Sequence, residues 1–292
     1  VECSLHHKPW VTDGPESNLY GLEPNFGCCT ANFHQGWPKF TNSLIMLSSS
    51  KQAGEQDGLV AAAYAPCEAR VLLGGTVVHI MEETDYPFRG SVHFILNPAS
   101  SCMFPLRLRI PAWAEGTVIR VNGSQQAAPT AGTFALVQRT WSAGDRVEVD
   151  FSMRPRISRW FNNSVAVERG PLVFSYGIGE NWVKLRDRGM TADWQVFPSA
   201  QWNYAVKVSE TDPAGSIAVS EAAVGELPFG RRHAPVCLSL KARRIDEWRA
   251  VDGAADPLPQ SPVACAAPEE TISLIPYAAA KLRITAFPLS KT

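Results

Sequence analysis

The sequence predicts a mainly β protein in which one helix is followed by an antiparallel β-sandwich and then by a second β-rich block. Short apolar segments bounded by Gly, Pro, Asn and Asp recur from Leu59 onward at intervals of about 10 residues. Several of them alternate apolar with charged residues, which is typical of a strand with one buried face. Helical spacing occurs in one place only, ahead of the strands. These three features favour sandwiches over a parallel α/β sheet.

Composition narrows the class of protein further. The 292 residues are 45% hydrophobic and 19% charged, which suits two or three globular domains. The net charge of −1 predicts neither a nucleic-acid partner nor an anionic membrane partner. No apolar run approaches the roughly 20 residues that span a bilayer. Because the chain begins with Val1, we expect the natural N-terminus to lie upstream, and the sequence predicts no compartment.

The first element follows a segment, residues 1–27, that Pro and Gly make irregular. A helix is predicted after it, with Thr30 as a plausible N-cap. Its apolar residues fall at i, i+3, i+7 and i+10, which places them on one helix face. They are Trp37, Phe40, Leu44 and Leu47.

Two adjacent cysteines, Cys28 and Cys29, open this predicted helix. Thiols at a helix N-terminus feel its partial positive charge, which favours the thiolate. A thiolate serves both metal binding and nucleophilic attack. Buried, inert cysteines remain an equal alternative from spacing alone. The chain has seven cysteines in no framework spacing, and we interpret the later ones as structural; they are Cys67, Cys102, Cys237 and Cys265.

The first group of strands is separated by recognisable turns. Gly74-Gly75 precedes one strand, and Asn122-Gly123 is the strongest short hairpin signal. The predicted strands are Leu59–Ala65, Thr76–Met81, Val92–Leu96, Leu106–Ile110, Val118–Val121, Phe134–Val137 and Val147–Phe151.

A second group of strands begins near Arg156. The turn 168–171 joins its first two strands, and a long loop is predicted over 246–268. The strands are Val165–Val167, Leu172–Tyr176, Trp202–Val208, Val236–Leu240, Ile272–Tyr277 and Leu282–Phe287.

Several motifs, in this order along nearly the whole chain, resemble glycoside hydrolase family 127, the β-L-arabinofuranosidases. The motifs are Gly27–Phe40, Leu108–Trp113, Val121–Gly123, Arg139–Asp145, Val165–Val173, Ile275–Tyr277 and Lys281–Pro288. The resemblance implies an (α/α)6 catalytic barrel followed by two β-sandwich domains. Residues 1–48 would then be the last helical piece of the barrel. The first sandwich would span 49–155 and regain its final strand from 270–292, with the second inserted at 156–269.

The resemblance also implies a chemistry. The family is a group of retaining glycosidases with a zinc-bound cysteine nucleophile, to which Cys28 corresponds, and Cys29 corresponds to a second zinc ligand. The remaining ligands, in a Glu-x-Cys pattern, and the acid/base Glu would lie before Val1. Asn32 and His34 would contact substrate, although helix-start residues bonded to the backbone are the simpler interpretation. Thr30-Ala31 departs from a pair of prolines in well-known members, which leaves the exact substrate open.

The predicted function is therefore the C-terminal portion of a zinc-dependent hydrolase that releases β-L-arabinofuranose or a related pentose from plant-type glycans. Its partner is a carbohydrate substrate, and a homodimer is left open as the assembly. Without the upstream residues we expect this chain alone to be inactive. Two alternatives remain: a non-catalytic carbohydrate-binding or structural β-sandwich module, and an interaction protein in which Cys28 and Cys29 hold a structural zinc.

Overall fold

The computed structural model describes residues 19–20, 32–49, 56–230, 232–251 and 254–291. The chain divides into two compact units. We call His34–Arg154 the middle unit, and Val1–Phe33 together with Pro155–Thr292 the split unit.

The first elements are short. Strand β1 (Leu19–Tyr20) precedes a 3-10 turn at Phe33–Gln35 and helix α1 (Gly36–Thr41). The predicted continuation of this helix through Leu44 and Leu47 is wrong, because strand β2 (Ile45–Ser48) takes its place.

Side-chain hydrogen bonds at the end of α1 explain the early stop. The Thr41 hydroxyl donates to the Trp37 and Pro38 carbonyls, and the Ser43 hydroxyl donates to the Lys39 carbonyl. Leu44 then enters the core with 3% of its surface exposed, and its carbonyl accepts a hydrogen bond from the Ala62 amide. Backbone groups that would form hydrogen bonds within a longer helix thus form them with neighbouring strands instead.

The middle unit is a β-sandwich. Two sheets, with strand orders β10-β7-β3-β2 and β4-β5-β6-β11-β8-β9, contribute to one apolar core. Neighbouring strands of these sheets are antiparallel except β3 and β7. The strands are β3 (Gly58–Ala61), β4 (Cys67–Leu73), β5 (Thr76–Thr84), β6 (Ser91–Pro98), β7 (Cys102–Arg109), β8 (Val118–Val121), β9 (Ser124–Gln125), β10 (Phe134–Trp141) and β11 (Asp145–Asp150).

The predicted turns of this unit are confirmed. Asn122 and Gly123 adopt positive φ angles of 49° and 80° between β8 and β9, as a tight hairpin requires. Gly74 and Gly75, with φ angles of 54° and 83°, join β4 to β5 in the same way. The Asn-Gly and Gly-Gly pairs therefore marked the ends of these strands correctly.

The split unit is also built from sheets. A nine-stranded sheet has the path β12-β13-β14-β22-β19-β17 with β18, β23 and β24 at its sides, and β1-β16-β15 form a smaller sheet. Its elements are β12 (Pro155–Arg159), β13 (Val165–Arg169), β14 (Leu172–Gly177), β15 (Glu180–Asp187), β16 (Ala192–Pro198), β17 (Tyr204–Lys207), α2 (Pro213–Ser216), β18 (Ala218–Glu221), β19 (Val236–Arg244), β20 (Ala250–Val251), β21 (Ala254–Ala255), β22 (Glu269–Pro276), β23 (Arg283–Ile284) and β24 (Ala286–Phe287).

The end of the chain pairs differently from the expectation that 270–292 return to the first sandwich. Strand β22 pairs with β14 and β19, β23 pairs with β14, and β24 pairs with β13. All of these strands belong to the split unit. Segments of alternating pattern can be assigned to strands from sequence, but the choice of partner strand depends on contacts over long separations.

The predicted mainly β fold with antiparallel sheets is confirmed. The helical barrel that the resemblance implies for residues 1–48 stays a prediction, since the described part of that segment holds one six-residue α-helix.

Candidate functional site

The predicted nucleophile and zinc ligands, Cys28 and Cys29, lie outside the described residues, as does the predicted N-cap Thr30. The predicted substrate contacts Asn32 and His34 follow this pair and lie within the described residues.

The residues that follow the cysteine pair are exposed. Asn32 and His34 both lie at the surface. Phe33 is 88% exposed and Trp37 is 70% exposed, so neither ring is a core residue. The Trp37 and Phe40 rings lie 5.9 Å apart and are tilted by 37°. Aromatic rings that expose an apolar face beside polar side chains are suited to packing against a ring-shaped ligand.

No metal site appears among the residues that the structure describes. Within those ranges no group of three or more His, Cys, Asp or Glu side chains is close enough to hold an ion. The four described cysteines are free and half-buried: Cys67, Cys102, Cys237 and Cys265. Burial raises the pKa of the Cys237 and Cys265 thiols, which keeps them protonated and poorly nucleophilic. This favours the structural interpretation of these cysteines.

One buried carboxyl in the middle unit was missed by sequence reasoning. Glu82 is 3% exposed, and its Oε1 accepts a hydrogen bond from the Ala65 amide at 3.0 Å. The Cys67 thiol donates to Oε2 at 3.7 Å. Burial raises the pKa of Glu82 to about 8, against the lowering effect of these two hydrogen bonds. At neutral pH the carboxyl is therefore protonated, as an enclosed acid requires.

The surroundings of Glu82 show that it is a core group. Tyr64, 2% exposed, donates its hydroxyl to the Arg109 carbonyl at 2.6 Å, and its ring meets the Phe151 ring edge-on at 5.0 Å. Burial, reinforced by Glu82, raises the pKa of the Cys67 thiol to about 12. Enclosed in this way, the carboxyl belongs to the core and does not contact a ligand in solvent.

The described part of the chain also contains no helix with the length and apolarity needed to cross a membrane.

A family profile matches the middle unit. Residues 58–153 match the profile described as β-L-arabinofuranosidase, glycoside hydrolase family 127 middle domain. The resemblance predicted from the sequence is confirmed over this part of the chain. A comparison with curated proteins gives no match.

Solved structures share the fold. A family 127 β-L-arabinofuranosidase from Geobacillus stearothermophilus T6 is 21% identical with a TM-score of 0.63, over 90% of this chain and 37% of that chain. A structure described as a glycoside hydrolase is 21% identical with a TM-score of 0.64, over 100% of this chain and 43% of that one. A family 127 β-arabinofuranosidase is 19% identical with a TM-score of 0.56, over 80% of this chain and 35% of that chain. The chain thus spans roughly two fifths of the length of the structures that it matches.

Proposed function

We propose that the whole protein is a retaining, zinc-dependent glycoside hydrolase. Residues 58–153 of this chain match the family 127 middle domain. Its substrate would be a plant-type glycan from which it releases β-L-arabinofuranose or a related pentose. The observation that carries the proposal is the profile match, supported by a shared fold over 90% of the chain with a solved β-L-arabinofuranosidase.

Zinc is the metal that the donor chemistry of the cysteine pair fits. Cys28 and Cys29 would supply two thiolates, the soft ligands that zinc prefers, toward a tetrahedral set of about four ligands. The remaining ligands would be the Glu and Cys that the resemblance places upstream. When bound there, zinc would keep the Cys28 thiol deprotonated at neutral pH.

The reaction assigned to the protein is a double displacement at the anomeric carbon. The Cys28 sulfur attacks this carbon, a carbon–sulfur bond forms, and the glycosidic carbon–oxygen bond breaks. Its electron pair stays on the leaving oxygen, which takes a proton from the acid/base Glu. Water then attacks the same carbon and gives its proton to that Glu, and the sulfur departs with the electron pair. Two inversions give net retention of configuration.

The exposed residues after the cysteine pair would hold the sugar. Asn32 and His34 are at the surface and offer polar groups to hydroxyls, and the 70% exposed Trp37 offers a ring face. These positions follow Cys28 closely along the chain. We assign them to substrate contact and not to bond cleavage.

The test uses the complete protein and an aryl β-L-arabinofuranoside. We expect the wild-type protein to contain zinc and to release β-configured L-arabinose first, as followed by NMR. Cys28→Ser should lower kcat by about a thousandfold or more, because serine is neither a comparable ligand nor a comparable nucleophile. Cys237→Ser, at a half-buried thiol with a raised pKa, is the matched control and should keep activity.

Three results would contradict the proposal: turnover that survives Cys28→Ser, an inverted product, or a metal-free active protein. We also expect negligible turnover from these 292 residues alone, because the resemblance places the acid/base Glu upstream of Val1. Zinc that remains bound while Cys28 resists alkylation would favour the structural-zinc alternative.

A further inference from the structure

One edge of strand β22 is left open over part of its length. Towards β19 the strand is paired at residues 269–274, whereas towards β14 it is paired at residues 274–276 alone. Within the described ranges, residues 269–273 therefore have a neighbouring strand on one side only. We call this part of the strand the open edge. It is about 16 Å long and presents backbone N–H and C=O groups with which a further strand can pair.

The edge is open because β14 turns away from β22 after Tyr176. Beyond that residue the chain bonds to the segment around β23 instead. Gly177 lies opposite Arg283, and the Ile178 amide donates to the Leu282 carbonyl at 3.0 Å. The gap between β14 and β22 is thus set by hydrogen bonds within the fold, and a ligand that enters it finds a preformed site.

A pocket of about 360 Å³ lies in this gap, and we call it the β22 notch. It is lined on the β14 side by Tyr176 and Gly177, and on the β22 side by Glu270, Thr271, Ile272 and Ser273. Successive residues of a strand point to opposite faces of a sheet. A pocket lined by four residues in a row therefore follows the edge of β22 and not one of its faces. Its volume is within the range of ligand sites, which begins at about 300 Å³.

Glu270 is the charged group of the notch. It is exposed, and it forms a hydrogen bond with the hydroxyl of Tyr204, which lines the same notch. Burial raises the pKa of Tyr204 to about 12, and the neighbouring Tyr176 and Glu270 reinforce this effect. The phenol therefore stays protonated and donates to the carboxylate. Because a carboxylate has about four acceptor positions, it can still accept hydrogen bonds from a ligand.

The charges around the notch favour a cationic ligand. The described residues that line it include no Lys, Arg or His. The preceding residue, Glu269, points to the other face of the sheet and forms an ion pair with Lys207 at 3.0 Å. Glu270 is held by a neutral phenol instead. Its carboxylate would repel an anion and attract an ammonium or guanidinium group.

The open edge and the carboxylate together select one kind of ligand. A small cation would leave the backbone groups of the edge unpaired, and a neutral peptide would leave Glu270 without a cationic partner. We propose that the β22 notch binds an extended basic peptide, which pairs with the open edge as an added strand and places a Lys or Arg side chain against Glu270. In this form of recognition the main chain supplies affinity and the side-chain pocket supplies specificity. The proposal concerns binding alone and does not depend on the activity proposed above.

The test measures binding of short peptides to the 292-residue chain by calorimetry. The basic probe is the acetylated and amidated peptide TVKVT, whose β-branched residues favour an extended backbone. Its comparators are TVEVT, which reverses the charge, and TVKVT with every backbone amide N-methylated, which cannot donate hydrogen bonds. We expect TVKVT to bind with a Kd of about 1 mM or below, at least about tenfold more tightly than either comparator.

Two neighbouring glutamates provide a variant and its matched control. Glu270→Gln keeps the shape of the side chain and removes its charge, so we expect it to weaken binding of TVKVT by about tenfold. Glu269→Gln makes the same change on the opposite face of the strand, where the carboxylate is paired with Lys207. It should change the Kd by less than about twofold. Both glutamates are exposed, so neither change disturbs the core.

Hydrogen exchange distinguishes an added strand from a simple ion contact. Amides of residues 269–273 that face the open edge should exchange at least about fivefold more slowly when TVKVT is bound, because the peptide accepts hydrogen bonds from them. The same measurement with N-acetyl-lysine amide, which offers the ammonium group without an extended backbone, should show no such protection.

Four outcomes overturn the proposal. The first is no binding of TVKVT up to about 10 mM. The second is equal binding of TVEVT or of the N-methylated peptide. The third is equal affinity of the Glu270→Gln and Glu269→Gln variants for TVKVT. The fourth is a different occupant: either L-arabinose binds in the notch more tightly than the peptide, or sedimentation shows a dimer that Glu270→Gln dissociates. None of these results bears on hydrolysis by the complete protein, so failure here and failure of the proposed activity are distinguishable.

Discussion

Replacement of Glu82 by glutamine should make the protein more stable, relative to wild type, as the pH rises. Glu82 is 3% exposed, and burial raises the pKa of its carboxyl to about 8 from 4.5. Between these two pH values the unfolded chain has lost the Glu82 proton while the folded chain has kept it. The folded state then binds more protons, so the free energy of unfolding of the wild-type chain falls as the pH rises.

The size of this loss follows from the two pKa values. Each pH unit inside the window costs about 1.4 kcal/mol for one proton. Between about pH 5 and about pH 8 the loss reaches about 3.5 kcal/mol, and above that range it levels off. A glutamine side chain at this position would carry no charge at any pH, and its carbonyl oxygen would still accept the hydrogen bond that the Ala65 amide gives to Glu82. The stability of Glu82→Gln relative to wild type should therefore rise by the same amount.

Urea denaturation of the chain at about pH 5, 6, 7 and 8 measures this difference, with hydrogen exchange of Ser91–Pro98 reporting the middle unit. Glu83→Gln is the matched control, because Glu83 is the next residue of the same strand and is exposed. The difference in free energy of unfolding between Glu83→Gln and wild type should vary little with pH. If the Glu82→Gln difference changes by less than about 1 kcal/mol over this range, Glu82 is ionised in the fold and the reasoning fails.

Two core substitutions test the packing of the middle unit. Gly58→Ala would place a Cβ 2.3 Å from the Pro105 carbonyl oxygen, so we expect the free energy of unfolding, measured by urea denaturation, to fall by about 1–3 kcal/mol. Gly36→Ala adds a Cβ with nothing within 4 Å and should lower it far less. Trp141→Phe removes the hydrogen bond from Nε1 to the Phe104 carbonyl at 2.9 Å and leaves a void around a fully buried ring. The expected cost is about 2 kcal/mol, against about 0.5 kcal/mol or less for Trp37→Phe at the surface. Equal effects within either pair would contradict the packing described.

The sandwich of the middle unit could be predicted because its strands alternate in burial. In β11, Val147 and Val149 are fully buried and Glu148 is not, and this pattern is visible in the sequence. The Asn122-Gly123 pair then places the end of β8 correctly, because few residues adopt positive φ at low cost. At these positions the local conformational preferences of the residues agree with their burial in the fold. Sequence patterns predict structure correctly under that condition.

Strand β15 was missed for the opposite reason. Val183, Lys184, Leu185 and Arg186 alternate in polarity, but seven of the eight residues are exposed, so burial does not follow that alternation. Its pairing with β16 is continuous apart from one irregularity at Lys184–Arg186. A strand without a buried face is stabilised by its partner alone, and the partner cannot be identified from the segment itself. The helix predicted through Leu47 failed similarly, since a helical spacing of apolar residues also fits a short helix followed by an edge strand.

The contact between Asn203 and Ile245 shows why an interaction can be absent from sequence reasoning even where the fold is predicted. Asn203 and Ile245 are 42 positions apart, and neither belongs to a recognisable motif. They meet because Tyr204 pairs with Arg244 in the sheet, which places Asn203, just before β17, beside Ile245, just after β19. The hydrogen bond from Asn203 Nδ2 to the Ile245 carbonyl is a consequence of that register, since a slip of one residue would turn the amide to the other face. Contacts of this kind are found by accounting for hydrogen bonds in the folded chain, because no residue pattern marks them in the sequence.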